Sequence, residues 1–111
     1  RFAPFAREIA VNKENLDRIR KGMIRVVNDK DATGYSGHMD NVVAAGKTCT
    51  VQTTSNRANK KDHAWFVGFA PAQNPRIAVA VIVEQAGSGG MAAAPVAKEI
   101  FKAYFQERPA A

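Results

Sequence analysis

Seven consecutive apolar residues, Ile77 to Val83, constrain this chain more than any other feature. The run is far too short to cross a bilayer, which takes about 20 residues in a helix. Its β-branched content and the Asn74-Pro75 turn before it predict a strand over Arg76 to Glu84. Alternation puts Ile77, Val79, Val81 and Val83 on one face and Ala78, Ala80 and Ile82 on the other. Apolar residues on both faces imply a central strand covered on both sides.

Two more segments have strand character. Val42 to Thr53 is rich in β-branched residues and carries Gly46, which disfavours a helix. His63 to Ala70 is rich in aromatics and is ended by Pro71, with a polar, basic connection (Thr54 to Lys61) before it. Connections this short favour antiparallel neighbours. Upstream, Asn12 is a helix N-cap, and Leu16, Ile19, Met23, Val26 and Val27 recur at helical spacing as the core-covering face of an amphipathic helix. Residues 1–11, with Pro4, read as an irregular lead-in, and Asp29 to Asp40, with Gly34 and Gly37, as an exposed loop. Gly87-Ser88-Gly89-Gly90 reads as a flexible connection into a second helix. That helix has Pro95 in its first turn and Val96, Ile100, Tyr104 and Phe105 on its inner face.

The expected fold is α/β in class and α+β in type. An antiparallel sheet of about three strands is flanked by an N-terminal amphipathic helix and a C-terminal helix. One helix across the sheet would leave the other face bare in this chain.

Composition narrows the function. With 111 residues, 46% hydrophobic and 23% charged, the chain has the make-up of one modest globular domain. Sixteen basic against 10 acidic residues give a formal charge of +6, which invites nucleic acid or an anionic membrane as partner. The cations are spread over Arg18, Arg20, Lys21 and Arg25 and over Arg57, Lys60 and Lys61. They form no single stripe with interleaved aromatics, which argues against a nucleic-acid partner. One cysteine cannot form an internal disulfide. His38 and His63 are too few and too poorly accompanied for a metal site. The Gly-rich turn lacks the Lys-Ser/Thr ending of a phosphate loop, so no cofactor is expected.

The chemistry concentrates in Lys47-Thr48-Cys49-Thr50. On a strand this tetrad offers an ammonium, two hydroxyls on one side and backbone N–H groups, a set suited to a carboxylate and a developing oxyanion. No adjacent histidine or helix N-terminus activates Cys49, which reads as a small packing residue.

Ala45 to Gln52, then Asp62 to Pro71, then Arg76 to Glu84, the Gly-rich turn and the closing helix resemble, in this order, the C-terminal part of the transpeptidase domain of class B penicillin-binding proteins, of the penicillin-binding protein 2 type. The match runs from about Leu16 to Phe105. It implies that residues 1–111 are the C-terminal segment of a single transpeptidase domain. The nucleophile motif Ser-x-x-Lys and the Ser-x-Asn motif would lie upstream, and neither occurs here.

By this resemblance Lys47 organises the Ser-x-Asn serine and supplies positive potential. Thr48 and Thr50 hold the terminal carboxylate of the acyl donor, and the backbone N–H of Thr50 forms half of an oxyanion hole. Gln52 and Thr53 continue along the acceptor side, and Trp65 stands at least one step removed from substrate. Cys49, in the substrate strand, departs from the family glycine. Its side chain, opposite Thr48 and Thr50, should press on whatever packs there.

The implied activity is serine-type D,D-transpeptidation of peptidoglycan, absent from these residues alone. The implied partners are the rest of the transpeptidase domain, the peptidoglycan stem peptide and β-lactams, with a membrane reached only through an N-terminal anchor. The implied location is the cytoplasmic membrane, with the catalytic domain on its periplasmic or extracellular side. A serine β-lactamase or β-lactam sensor, or a small basic nucleic-acid or membrane-binding module, are the alternatives.

Overall fold

A computed structural model describes residues 5–52 and 62–110. The expected loop cations Arg57, Lys60 and Lys61, and Thr53, lie outside the described residues. The chain runs as helix α1 (Lys13–Asn28), a 3-10 turn (Tyr35–Gly37), strands β1 (Ala45–Val51), β2 (His63–Ala70) and β3 (Ile77–Val83), a π-helical turn (Gly89–Ala93) and helix α2 (Ala94–Glu107). The sheet is antiparallel throughout, in the order β1-β2-β3. The mixed architecture expected from the sequence is the one observed.

α1 starts where a side chain can satisfy its orphan amides: Asn12 Oδ1 accepts from the N–H of Glu14 at 2.9 Å and of Asn15 at 3.2 Å. Its apolar face covers the core only at the C-terminal end. Val27 is fully buried, whereas Leu16 and Ile19 are 45% and 59% exposed. The first half of the helix extends beyond the sheet, so the expectation of a covering face along its whole length is corrected.

The core lies on one face of the sheet. Val27, Phe66, Val81, Phe101 and Phe105 meet there with Ala64, Ala70, Ala94 and Ala97. Cross-strand pairing of Thr48 with Phe66, and of Phe66 with Val81, puts the even-numbered residues of β1 and β2 on this face with Val79, Val81 and Val83. Ile77, Val79 and Val83 pack against the same cluster.

Two further expectations are corrected. β3 is an edge strand among the described residues, not a central one, and Ala78, Ala80 and Ile82 on its second face are exposed. The inner face of α2 is Ala94, Ala97, Phe101 and Phe105, while Val96 and Ile100 are 43% and 41% exposed. Small residues win the inner face because the helix starts against backbone: a Cβ on Gly37 would sit 3.6 Å from that of Ala94. Tyr104 turns partly outward and caps the sheet end, its hydroxyl 3.4 Å from the carbonyl oxygen of Arg76.

The Gly-rich segment is not the flexible connection its composition suggests. Gly87 turns at φ 87° and its N–H donates to the Asp62 carbonyl at 2.9 Å. Gly89 and Gly90 are buried in the π-helical turn that leads into α2.

Candidate active site

β1 carries the tetrad Lys47-Thr48-Cys49-Thr50 along the rim of the sheet. Its direction of hydrogen bonding follows from three contacts. The Val43 carbonyl accepts from Ala72 N–H at 2.8 Å, on the side of β2. A Cβ built on Gly89 would lie 2.9 Å from Cys49 N and closer still to the carbonyl oxygens of Cys49 and its pair partner Trp65. Those atoms therefore lie between the two strands, as in a pair that exchanges both bonds. Lys47 Nζ, finally, reaches the Thr48 carbonyl oxygen, which is free of the ladder. Odd-numbered residues of β1 thus bond to β2, and the N–H and C=O of Thr48 and Thr50 face the unpaired rim.

Side chains alternate independently of this. Lys47, Cys49 and Val51 project to the uncovered face with Trp65 and Val67, and Thr48 and Thr50 to the core face. The expected sharing of a side by the two threonines is observed, with a difference between them. Thr48 is only 8% exposed and its hydroxyl donates to Thr33 Oγ1 at 2.8 Å. Thr50 lies farther along the strand and is exposed, as is Gln52 just past its end. Of the two hydroxyls expected to grip a carboxylate, one is already engaged in holding the loop after α1.

Lys47 is exposed, and no carboxylate pairs with it among the described residues. An ammonium beside outward-facing N–H groups makes the rim a place for anionic and oxyanionic groups. Cys49 is exposed, and its thiol is on the opposite face from Thr50.

The histidines are occupied elsewhere. His63 Nδ1 accepts from Gln85 N–H at 2.9 Å, and His38 stacks on Tyr35 with ring centroids 5.1 Å apart. No group of three or more metal-ligating side chains occurs among the described residues. Of the aromatics, Phe66 is core, whereas Trp65 lies half-buried on the other face with its Nε1 buried and unbonded among the described residues.

Sequence reasoning missed one set of residues around the tetrad. Thr33, Ser36, Gly89 and Gly90 converge beneath β1 from two distant segments: Ser36 Oγ donates to the Gly90 carbonyl, and a Cβ on Gly90 would collide with the Thr33 carbonyl. The adjacent Gly89 and Gly90 are the one signal the sequence offers, and by composition alone they suggest a flexible connection.

Comparison with known proteins points one way. The family described as the penicillin binding protein transpeptidase domain matches residues 4–102. The peptidoglycan D,D-transpeptidase MrdA of Haemophilus influenzae is 39% identical over 101 residues, spanning 80% of this chain and 16% of that protein. The solved structure of Pseudomonas aeruginosa PBP2 in complex with WCK 5153 superposes with a TM-score of 0.76 at 38% identity, covering 91% of this chain and 21% of that one. Penicillin-binding protein A of Mycobacterium tuberculosis, solved as a ceftriaxone acyl-enzyme complex, superposes at 0.70 with 30% identity, covering 85% and 22%. The chain spans less than a quarter of the length of these relatives.

Proposed function

Because the chain belongs to the penicillin-binding protein transpeptidase domain family, we propose that it forms the substrate-strand wall of a serine D,D-transpeptidase that cross-links peptidoglycan stem peptides and is acylated by β-lactams. The observation that carries this reading is the rim of β1, where Thr50 directs its N–H away from β2 beside the exposed Lys47 ammonium.

In the proposed reaction a serine from the upstream part of the domain attacks the carbonyl carbon of the D-Ala-D-Ala bond. The carbonyl oxygen becomes an oxyanion and takes a hydrogen bond from Thr50 N–H, with the second from the nucleophile's own N–H. The tetrahedral species collapses, the C–N bond breaks, and D-alanine leaves with the proton that the serine gave up. The amine of a neighbouring stem peptide then attacks the acyl-enzyme and the serine regains its proton.

Lys47 supplies positive potential and orders the serine of the second motif. The exposed Thr50 hydroxyl is the better placed of the two threonines to meet the donor's terminal carboxylate, because that of Thr48 is spent on Thr33. Gln52 extends the acceptor side. Cell-wall chemistry places the work outside the cytoplasmic membrane, with an N-terminal anchor as the tether.

The test is a chimera in which these 111 residues replace the matching part of Pseudomonas aeruginosa PBP2, probed with fluorescent penicillin. The chimera is expected to label covalently, and Lys47→Ala to cut the labelling rate by about tenfold or more. The 111-residue chain alone should give no band, because no Ser-x-x-Lys occurs in it. A folded chimera that stays unlabelled, or a labelled band from the chain alone, would sink the reading.

A further inference from the structure

At the pair Cys49 and Trp65 both side chains point to the uncovered face, so the core face presents bare backbone there. The backbone of Gly89 fills that hollow. It lies against Cys49 N, Cys49 O and Trp65 O so closely that a methyl group in place of its hydrogen has no room, and the obstructing atoms are all main chain. Gly90 meets the Thr33 carbonyl in the same way. Ser36 ties Gly90 down, and Thr33 in turn takes the hydroxyl of Thr48 at 2.8 Å. The contacts form a closed ring: Thr48, Thr33, Gly90, Gly89, Cys49.

The ring matters because of one peptide plane. Cys49 C=O and Thr50 N–H belong to the same planar trans peptide and point in opposite directions. Whatever fixes the Cys49 oxygen from beneath also fixes the aim of the Thr50 hydrogen at the rim. Oxyanion stabilisation depends on that aim, since misdirected donors lose most of their effect. A π-helical turn, a rare conformation that recurs at functional sites, is what lays Gly89 against the strand and Gly90 against the Thr33 carbonyl.

We propose that Gly89 and Gly90, held by Ser36, are positioning residues that set the orientation of the Cys49–Thr50 peptide for transition-state stabilisation. They touch no substrate and act through the strand. The claim rests on the transpeptidase reading for its catalytic consequence, and on geometry alone for the link between the turn and β1.

Two measurements separate these levels. In the 111-residue chain, amide resonances of Cys49 and Thr50 are compared between the unaltered chain, Gly89→Ala, Ser36→Ala and the control Gly22→Ala, whose added Cβ meets nothing within 4 Å. Gly89→Ala and Ser36→Ala are expected to move both amides in a common direction, the former more, and the control to leave them in place. In the chimera the same variants are expected to slow the acylation step, about tenfold for Gly89→Ala and a few-fold for Ser36→Ala. The dissociation constant of the pre-acylation complex should stay unchanged, a split that general destabilisation would not give.

Shifts confined to the turn itself would overturn the proposal, as would displaced amides with an unchanged acylation step. If Gly89→Ala does not fold, Ser36→Ala decides both points. An unlabelled parent chimera would count against the transpeptidase reading, while the amide shifts would still test the link between turn and strand.

Discussion

Thr48 and Thr50 are two residues apart and share a face of β1, yet they differ in burial and bonding. Thr48 is buried and bonded to Thr33, so Thr48→Val should cost about 1 kcal/mol of stability, the usual loss for one net hydrogen bond. Thr50 is exposed, and Thr50→Val should leave stability within about 0.5 kcal/mol. Labelling of the chimera should respond more strongly to Thr50→Val. Thermal melts beside labelling rates check the pair; equal destabilisation by both would contradict the assignment. Sequence could tell that the two hydroxyls lie on one side, because strand alternation is local. It could not tell that one of them is taken, because the partner, Thr33, sits 15 residues earlier on a loop. The Asn12 cap, by contrast, was legible in full, since donor and acceptor lie within three residues of each other.

At the level of elements the strands were the clearest. β2 spans His63–Ala70 as its aromatic run predicts, and the parity of β3 is as its alternation predicts. α2 was harder, because heavy apolar side chains suggest an inner face and here the inner face begins with alanines. Ala94 and Ala97 let the helix approach the 3-10 turn, and that approach rotates Phe101 inward and Ile100 outward. Phe101→Ala should therefore cost about 3–5 kcal/mol, and Ile100→Ala well under half of that. Urea midpoints measured on both variants decide, and a reversed order would restore the face read from hydropathy. Two apolar faces suggest a central strand for β3, yet it stands at the edge among the described residues, because what covers a strand is contained in no local pattern.

Among the described residues, the sheet has one packed face and one open one. Val67, Ile82, Ala78 and Ala80 are exposed beside Trp65 and Phe69, and Phe5, Ile9, Leu16 and Ile19 are exposed elsewhere. The number of helices predicts the bare sheet face but not the exposure of Leu16 and Ile19, because an amphipathic helix pattern does not reveal how far its helix overlaps the sheet. Surface of this kind drives association. By itself the chain should sediment as concentration-dependent oligomers, and a Val67→Lys, Ile82→Lys double variant should shift it towards monomer. A monomeric parent at high micromolar concentration would show that the open face is protected in solution.

Trp65 and Cys49, the sole indole and the sole thiol of the chain, are cross-strand partners on that open face. Thiols quench indole emission at short range, so this pairing makes Trp65 emission an expected optical gauge of what meets that face. Anything that settles over the sheet, or alkylates the sulfur, must change the brightness and colour of a single fluorophore, with no label added.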